Sequence, residues 1–117
     1  MNTLDLLIKA RDLISSPEKW TQKCLARDCD DDDCYYGSDR AAKFCSVGAI
    51  NRIVFRDLAF DGLHADSIRE LRSSAAFELE LVMKTKISDY NDYHNHAEVL
   101  AKFDLAIANA QTSITGP

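Results

Sequence analysis

This sequence has few glycines and prolines, no long apolar run and no excess of basic residues. Each of these shortages excludes a class of protein. No apolar run approaches the ~18 residues that a membrane-spanning helix needs. The first residues lack the basic start and apolar stretch of a secretory signal, so we expect a cytoplasmic protein with no membrane partner. With only 4 glycines and 2 prolines, and with 46% hydrophobic residues, the composition excludes collagen-like and fully disordered chains.

The length of 117 residues fits one domain. A chain of this size hides ~60% to ~70% of its unfolded surface, which is enough for a single core. No internal repeat or long linker divides the sequence. We therefore predict a single helical domain over residues 1–111, followed by a frayed tail over residues 112–117.

The negative charge is concentrated in one segment. The chain has 14 basic and 19 acidic residues, a net charge of −5, yet the stretch from Asp28 to Asp39 holds six aspartates and no Lys or Arg. A protein that binds nucleic acid would show a basic stripe, and a mimic of nucleic acid would spread its carboxylates over a long face. Neither pattern is present, so we expect no direct nucleic-acid partner.

The spacing of apolar residues predicts a mainly α fold. The predicted helices cover residues 3–14, 39–57, 66 or 67 to 84, and 95–110, with a turn-rich connection over residues 58–65. Pro17 indicates a short helical turn before Trp20, and residues 86–90 are predicted to be extended. These elements indicate a compact bundle of about four helices, and the pattern allows a small β ribbon that joins the segments near Lys23 and Ile87.

Four cysteines, at positions 24, 29, 34 and 45, raise the question of a zinc site. Structural zinc usually draws thiolates in pairs separated by ~2 to 4 residues, with the pairs well apart. Here four, four and ten residues separate successive cysteines, so there are no two close pairs that lie well apart, and five aspartates surround the first three cysteines. Reduced, unligated thiols in a cytoplasmic protein are the favoured interpretation, and we expect no cofactor.

The aspartate loop invites a comparison with calcium loops. Asp28, Asp30 and Asp32 match the first three acidic positions of an EF-hand loop, and Asp39 falls at its twelfth. However, Asp33 replaces the glycine of the sixth position, and the twelfth residue is not the bidentate glutamate. A solvated acidic loop is therefore favoured, and a metal-stabilised domain that uses this Asp/Cys loop is one alternative.

A thiol enzyme is the other alternative. Cys45 would be the nucleophile, His94 the base and Asn91 the residue that orients the base. Cys45 is predicted in the middle of a helix on its apolar face, where burial raises the pKa of a thiol. A structural cysteine is thus favoured over a cysteine-dependent hydrolase or transferase. In the same predicted helix, Gly48 indicates the close approach of another backbone.

Aromatic and acidic residues of the irregular segments indicate a binding surface, because tyrosine and tryptophan offer large contact areas with polar edges. The predicted binding residues are Trp20, Arg27, Asp28, Asp30, Asp31, Asp32, Tyr35, Tyr36, Tyr90, Asn91 and Asp92. Tyr93 belongs to the same aromatic set, and Arg27 is expected to pair with Asp92 or with the aspartate loop. An equal alternative for Asn91 and Asp92 is that they bind backbone amides around the helix start. The leading interpretation is a non-enzymatic binding or regulatory protein that recognises a protein partner, and a basic partner would suit the acidic loop.

Four short blocks also resemble a known family. In order they are Trp20, Ala26-Arg27-Asp28, Cys45-x-x-Gly48-Ala49 and Asn91-Asp92. The chain from Leu4 to Ala110 resembles an uncharacterised family of small bacterial and phage proteins, a domain of unknown function. The resemblance implies a bacterial or phage origin and a common fold, and it implies no activity. His94 lies outside these blocks, which disfavours the enzyme alternative.

Overall fold

The computed structural model describes residues 1–58 and 64–115, with only the backbone described for residues 113–115. The helices of this part are α1 (Thr3–Leu13), α2 (Ser46–Leu58), α3 (Ala65–Met83), α4 (Ile87–Tyr93) and α5 (His96–Thr115). Between α1 and α2 lie a 3₁₀ helix, Pro17–Lys19, and two short antiparallel strands, β1 (Ala26–Arg27) and β2 (Lys43–Phe44). The predicted fold class, a mainly α bundle with a small β ribbon, is confirmed.

Capping boxes begin two of the long helices. Asn2 Oδ1 accepts a hydrogen bond from the Asp5 backbone N–H at 2.8 Å, and the Asp5 carboxylate accepts one from the Asn2 N–H at 3.2 Å. Asn95 and Glu98 make the same reciprocal pair before α5, at 2.8 and 3.0 Å. Each box satisfies two backbone N–H groups that a helix start leaves free. The predicted start of the last helix at Asn95 is thereby confirmed.

The core lies between four of the helices. Helix α1 packs against α2, α3 and α5, and α3 also packs against α5. The largest fully buried apolar side chains of the core are Leu6, Leu7, Ile14, Ile53, Leu79, Val99 and Phe103. Helix α4 packs against α2 and α3 at the edge of this core. No helix among the described residues is long and apolar enough to cross a membrane.

The predicted helix over residues 39–57 is wrong at its start. Helix α2 begins only at Ser46, and the preceding residues form a turn and β2. The pairs Ala26–Phe44 and Arg27–Lys43 hold β2 against β1. A local apolar pattern does not report such non-local pairing, which here overrides helix propensity.

The predicted strand over residues 86–90, and with it a ribbon that joins Lys23 to Ile87, is also wrong. Residues 87–93 form α4, in which Ile87, Tyr90 and Asn91 are buried at helical spacing. Helix α3 begins after His64, which makes no side-chain cap. The predicted turn-rich connection lies mostly at residues 59–63, outside the described residues. Helix α5 extends over residues 112–115 of the predicted tail.

Candidate functional site

Residues 20–45, the irregular segment, connect the 3₁₀ helix to α2 with only the two short strands as regular structure. Loops longer than ~12 to 15 residues without secondary structure of their own are uncommon in compact domains and usually have a function. The side chains that fix this segment and those that it exposes therefore define the candidate site.

Asn91 of α4 is the central connection. Its side chain is fully buried. Its Oδ1 accepts hydrogen bonds from Trp20 Nε1 at 2.8 Å, from the Ser46 backbone N–H at 3.0 Å and from Ser46 Oγ at 2.8 Å. Its Nδ2 donates to the Thr21 carbonyl at 3.0 Å. One amide thus joins α4 to the start of the irregular segment and to the start of α2.

Two neighbouring contacts extend this connection. The Lys23 backbone N–H donates to Asp92 Oδ1 at 2.7 Å. Gln22 Nε2 donates to the carbonyls of Asn91 and His94, at 3.0 and 2.9 Å. These carbonyls lie at the end of α4, where a helix leaves acceptors free. Gln22 was not among the predicted site residues, since an isolated glutamine in a loop carries no sequence signal.

Trp20 also contacts the start of α5. Its ring lies 5.5 Å from the His96 ring, measured between centroids. His96 Nε2 lies 2.6 Å from the Ile14 carbonyl oxygen, which fixes the end of α1 against α5. Trp20 is only partly exposed, so it acts mainly as a contact between elements.

Arg27 connects the irregular segment to itself. Its guanidinium donates to Thr21 Oγ1 at 2.9 Å and to the Gln22 carbonyl at 3.3 Å. On the other side it donates to the Asp31 carbonyl at 3.1 Å and to Asp33 Oδ1 at 2.9 Å. The predicted pairing of Arg27 with the aspartate loop is therefore confirmed. The fork of N–H donors holds the two halves of the segment together.

Asp28 shapes the aspartate loop from within. Its side chain is 8% exposed, and its Oδ1 accepts from the backbone N–H groups of Asp30 and Asp32 at 2.9 and 3.1 Å. This is the local pattern in which a short acidic side chain organises a turn. Asp31, in the left-handed region at φ 66°, pairs with the Lys43 ammonium, which lowers the pKa of its carboxyl.

The alternative metal ligands are not brought together around an ion. Asp28 is occupied by backbone N–H groups, whereas Asp30, Asp32 and Asp39 are exposed. In residues 1–58 and 64–112, no three His, Cys, Asp or Glu side chains are placed to hold a metal ion. The four cysteines are all free.

Cys45 lies immediately before α2 and not in the middle of a helix, so its predicted position is wrong, although its predicted burial is confirmed. The side chain is 4% exposed, and Sγ accepts a hydrogen bond from the Gly48 N–H at 3.3 Å. Burial raises the pKa of the thiol, and the N–H groups of Gly48 and Val47 offset only part of this effect. Cys45 is therefore a neutral capping group.

The other two members of the alternative catalytic set are occupied elsewhere. His94 Nδ1 lies 2.9 Å from the Tyr90 carbonyl oxygen, and its ring stacks on the Tyr90 ring at 3.7 Å. Asn91 is engaged by Trp20 and Ser46. The arrangement provides no activated thiol and no histidine that an amide orients toward one.

Gly48 explains how the irregular segment reaches α2. A Cβ atom on Gly48 would lie 1.9 Å from the carbonyl oxygen of Leu25. That carbonyl accepts a hydrogen bond from the Cys45 N–H at 3.2 Å. The close approach of another backbone, which the sequence indicated for Gly48, is confirmed.

The outer side of the irregular segment and the end of α4 present exposed groups. Tyr93, Tyr35 and Leu25 are 79%, 57% and 42% exposed. The exposed carboxylates are those of Asp30, Asp31, Asp32 and Asp33. Of the predicted binding residues, Asn91, Tyr90 and Asp28 are instead buried. Leu25 was missed, because a single leucine in a loop gives no periodic signal.

The comparisons with known proteins give a family and no activity. No curated protein and no solved structure matches the chain. Residues 1–109 match a group described as a family of unknown function, DUF6197. This span contains Trp20, Arg27, Cys45 and Asn91, and thus the whole network that orders the irregular segment. The chain therefore belongs to the DUF6197 family of unknown function.

Proposed function

We propose that this protein is a non-enzymatic binding or regulatory protein that recognises a protein partner through the outer side of the irregular segment. The observation that carries the proposal is that one set of side chains holds the segment in place while another set stays exposed on its outer side. Asn91, Arg27 and Asp28 order the segment through buried or partly buried hydrogen bonds. Its outer side keeps carboxylates and apolar groups exposed. A rigid base that presents exposed side chains is the usual design of a recognition loop.

The charges of this surface favour a basic partner. Arg27 pairs with Asp33, and Lys43 pairs with Asp31. Asp30 and Asp32 have no ion pair with any other described residue. The surface thus keeps a negative charge, which attracts a basic partner and discriminates against acidic ones.

Apolar contact area lies near these charges. The backbone N–H of Lys23 donates a hydrogen bond to the Asp92 carboxylate. The chain that leads to Leu25 therefore lies beside the end of α4, which carries Tyr93. A tyrosine that is 79% exposed offers a large contact area at a low cost in side-chain entropy. An acidic and aromatic surface of this kind fits a protein partner better than it fits a nucleic acid.

The proposal also includes the cellular compartment and the origin of the protein. Four free cysteines suit a reducing compartment, so we place the protein in the cytoplasm. The bacterial or phage origin rests on the resemblance of the four sequence blocks. The buried thiol of Cys45 and the occupied side chains of Asn91 and His94 argue against a cysteine-dependent hydrolase or transferase.

Affinity capture with charge-matched variants tests the proposal. The wild type is compared with Asp30→Asn/Asp31→Asn/Asp32→Asn and with the control Asp12→Asn/Glu18→Gln/Glu80→Gln, which removes three exposed carboxylates from other surfaces. We expect a partner that the wild type and the control capture and that the loop variant loses. The purified partner should then bind more weakly as the salt concentration rises.

Two results would contradict this function. The first is an identical set of captured proteins for all three forms. The second is a partner whose affinity changes equally with the loop variant and the control, because only the general net charge would then matter.

A further inference from the structure

The outer face of α3 carries a second exposed apolar group, far in sequence from the irregular segment. Phe77 and Leu81, one helical turn apart, are 59% and 55% exposed. Ala75, Leu79 and Val82 are buried, so the core lies on the opposite face of the same helix. Two large apolar side chains at helical spacing on a solvent face are typical of a surface that a partner helix covers.

Charges of opposite sign lie on either side of Phe77. Glu70 lies in α3 about two turns before Phe77, and Lys84, the left-handed C-cap residue at φ 61°, follows the helix about two turns after it. Both are exposed, and neither forms an ion pair within the described part of the chain. The exposed side of α3 therefore carries Glu70 before its apolar middle, and the carboxylate of Glu80 and the ammonium of Lys84 after it.

Such a face is complementary to itself when it is turned around. In an antiparallel pair about a two-fold axis at Phe77, Glu70 of each copy faces Lys84 of the other copy, so two ion pairs form. A parallel pair would place Glu70 beside Glu70 and Lys84 beside Lys84, which repel each other. The charge pattern thus selects the antiparallel arrangement.

The shape of the surface supports the same register. Phe77 borders a groove of about 680 Å³, which Ser73 and Ser74 also line. In the antiparallel pair, Leu81 of the second copy lies opposite these two serines. Small side chains leave space there, so the leucine enters the groove as a knob enters a hole. Leu4 and Ala110 provide apolar walls for it.

We propose that α3 is the interface of a homodimer, in which two copies pair antiparallel about Phe77. Helix α3 has 19 residues and is thus about 28 Å long. One helix face of this length buries less than a standard stable interface, so the dimer forms and dissociates with protein concentration. The irregular segment takes no part in this contact, so the dimer is independent of the proposed binding function.

Sedimentation equilibrium of the full chain, from about 10 µM to about 1 mM, measures the dimer directly. We expect a reversible monomer–dimer equilibrium for the wild type and a monomer at every concentration for Phe77→Glu. The control is Leu105→Glu, which places a charge at an exposed leucine of α5 and should dimerise as the wild type does. Circular dichroism verifies that each variant is folded.

A charge exchange tests the register. Glu70→Lys and Lys84→Glu should each weaken the dimer by roughly tenfold, because each replaces two attractive pairs with two repulsive ones. The combined variant Glu70→Lys/Lys84→Glu should restore the wild-type affinity. A wild type that stays monomeric, as it would if another protein covered α3, overturns the proposal. A dimer that Phe77→Glu leaves intact, or a combined variant without recovery, also overturns it.

Discussion

Replacing Asn91 by alanine tests whether one buried amide holds the irregular segment in place. The substitution Asn91→Ala removes the acceptor of Trp20 Nε1 and of the Ser46 N–H and hydroxyl, and the donor to the Thr21 carbonyl. Because the side chain of Asn91 is fully buried, alanine also leaves a cavity there.

The magnitude follows from the groups left without partners. A buried polar group that loses its partner costs about 1 to 3 kcal/mol. Ser46 is fully buried and should approach the upper value, whereas Trp20 and Thr21 are partly exposed and water can replace some of their bonds. We therefore expect Asn91→Ala to lower the free energy of unfolding by about 3 to 5 kcal/mol, a large part of the ~5 to 15 kcal/mol of a typical domain.

Urea unfolding measures this loss with two probes. Trp20 is the one tryptophan of the chain, so its fluorescence reports on the irregular segment, and circular dichroism reports on the helices. The matched control is Asn95→Ala, which removes an exposed asparagine with a single helix-capping role and should cost about 1 kcal/mol. Ser46→Ala removes one hydroxyl while Asn91 keeps its other donors, and it should also cost about 1 kcal/mol.

The reasoning is refuted if Asn91→Ala costs no more than Asn95→Ala. It also predicts a particular form of damage. If the segment loosens before the helices do, the fluorescence transition of Asn91→Ala should precede the circular dichroism transition, whereas the two should coincide in the wild type.

Four further predictions concern the irregular segment and the start of α2. Gly48→Ala should lower the free energy of unfolding by more than about 3 kcal/mol, since its Cβ would meet a backbone carbonyl at 1.9 Å. The control Gly37→Ala would meet the side chain of exposed Tyr35 and should cost less. Equal losses of stability in thermal melts would contradict this. In the folded protein, iodoacetamide should modify exposed Cys29 first and Cys45 only after unfolding, as peptide mass spectrometry would show, and rapid modification of native Cys45 would be inconsistent with its burial. Because burial raises the pKa of Cys45, its contribution to stability is present below the unfolded thiol pKa of ~8.5 and is lost as the pH rises toward the folded value. Finally, the melting temperature should differ by less than about 1 °C between EDTA and excess calcium, because Asp28 is occupied by backbone N–H groups, and a rise of several degrees would restore the calcium alternative.

Local patterns predicted the elements that depend on local interactions. The apolar spacing of α1, α3 and α5 is long enough to define a helix, and the Asn95 and Glu98 pair gave the start of α5 directly. The start of α2 was missed because β2 is fixed by its pairing with β1, which lies far away in sequence. Helix α4 has only seven residues, too few for its period to show.

The sequence singled out several residues of the hydrogen-bond network, but not the direction in which their side chains point. The sequence identified Trp20, Arg27 and Asn91. The structure shows that their side chains form hydrogen bonds within the protein, which hold the irregular segment in place. Asparagine and aspartate are usually exposed, so a pattern of residue types suggests that Asn91 and Asp28 point outward. The three-dimensional contacts show that their hydrogen bonds are made within the protein, as the backbone-binding alternative for Asn91 had it, and not at the exposed surface.

The order of the irregular segment depends on the whole fold. The bond between Trp20 and Asn91 spans 71 positions, and the bond between Ser46 and Asn91 spans 45. The first bond joins the segment to α4 and the second joins α4 to the start of α2, so these non-local contacts form only when the elements dock, in addition to the local bonds of Arg27 and Asp28. By the same linkage, a partner that binds the ordered segment stabilises the entire domain and not the loop alone. The melting temperature measured by the helical circular dichroism signal should therefore rise with partner concentration, and a partner that leaves it unchanged would bind a surface outside this network.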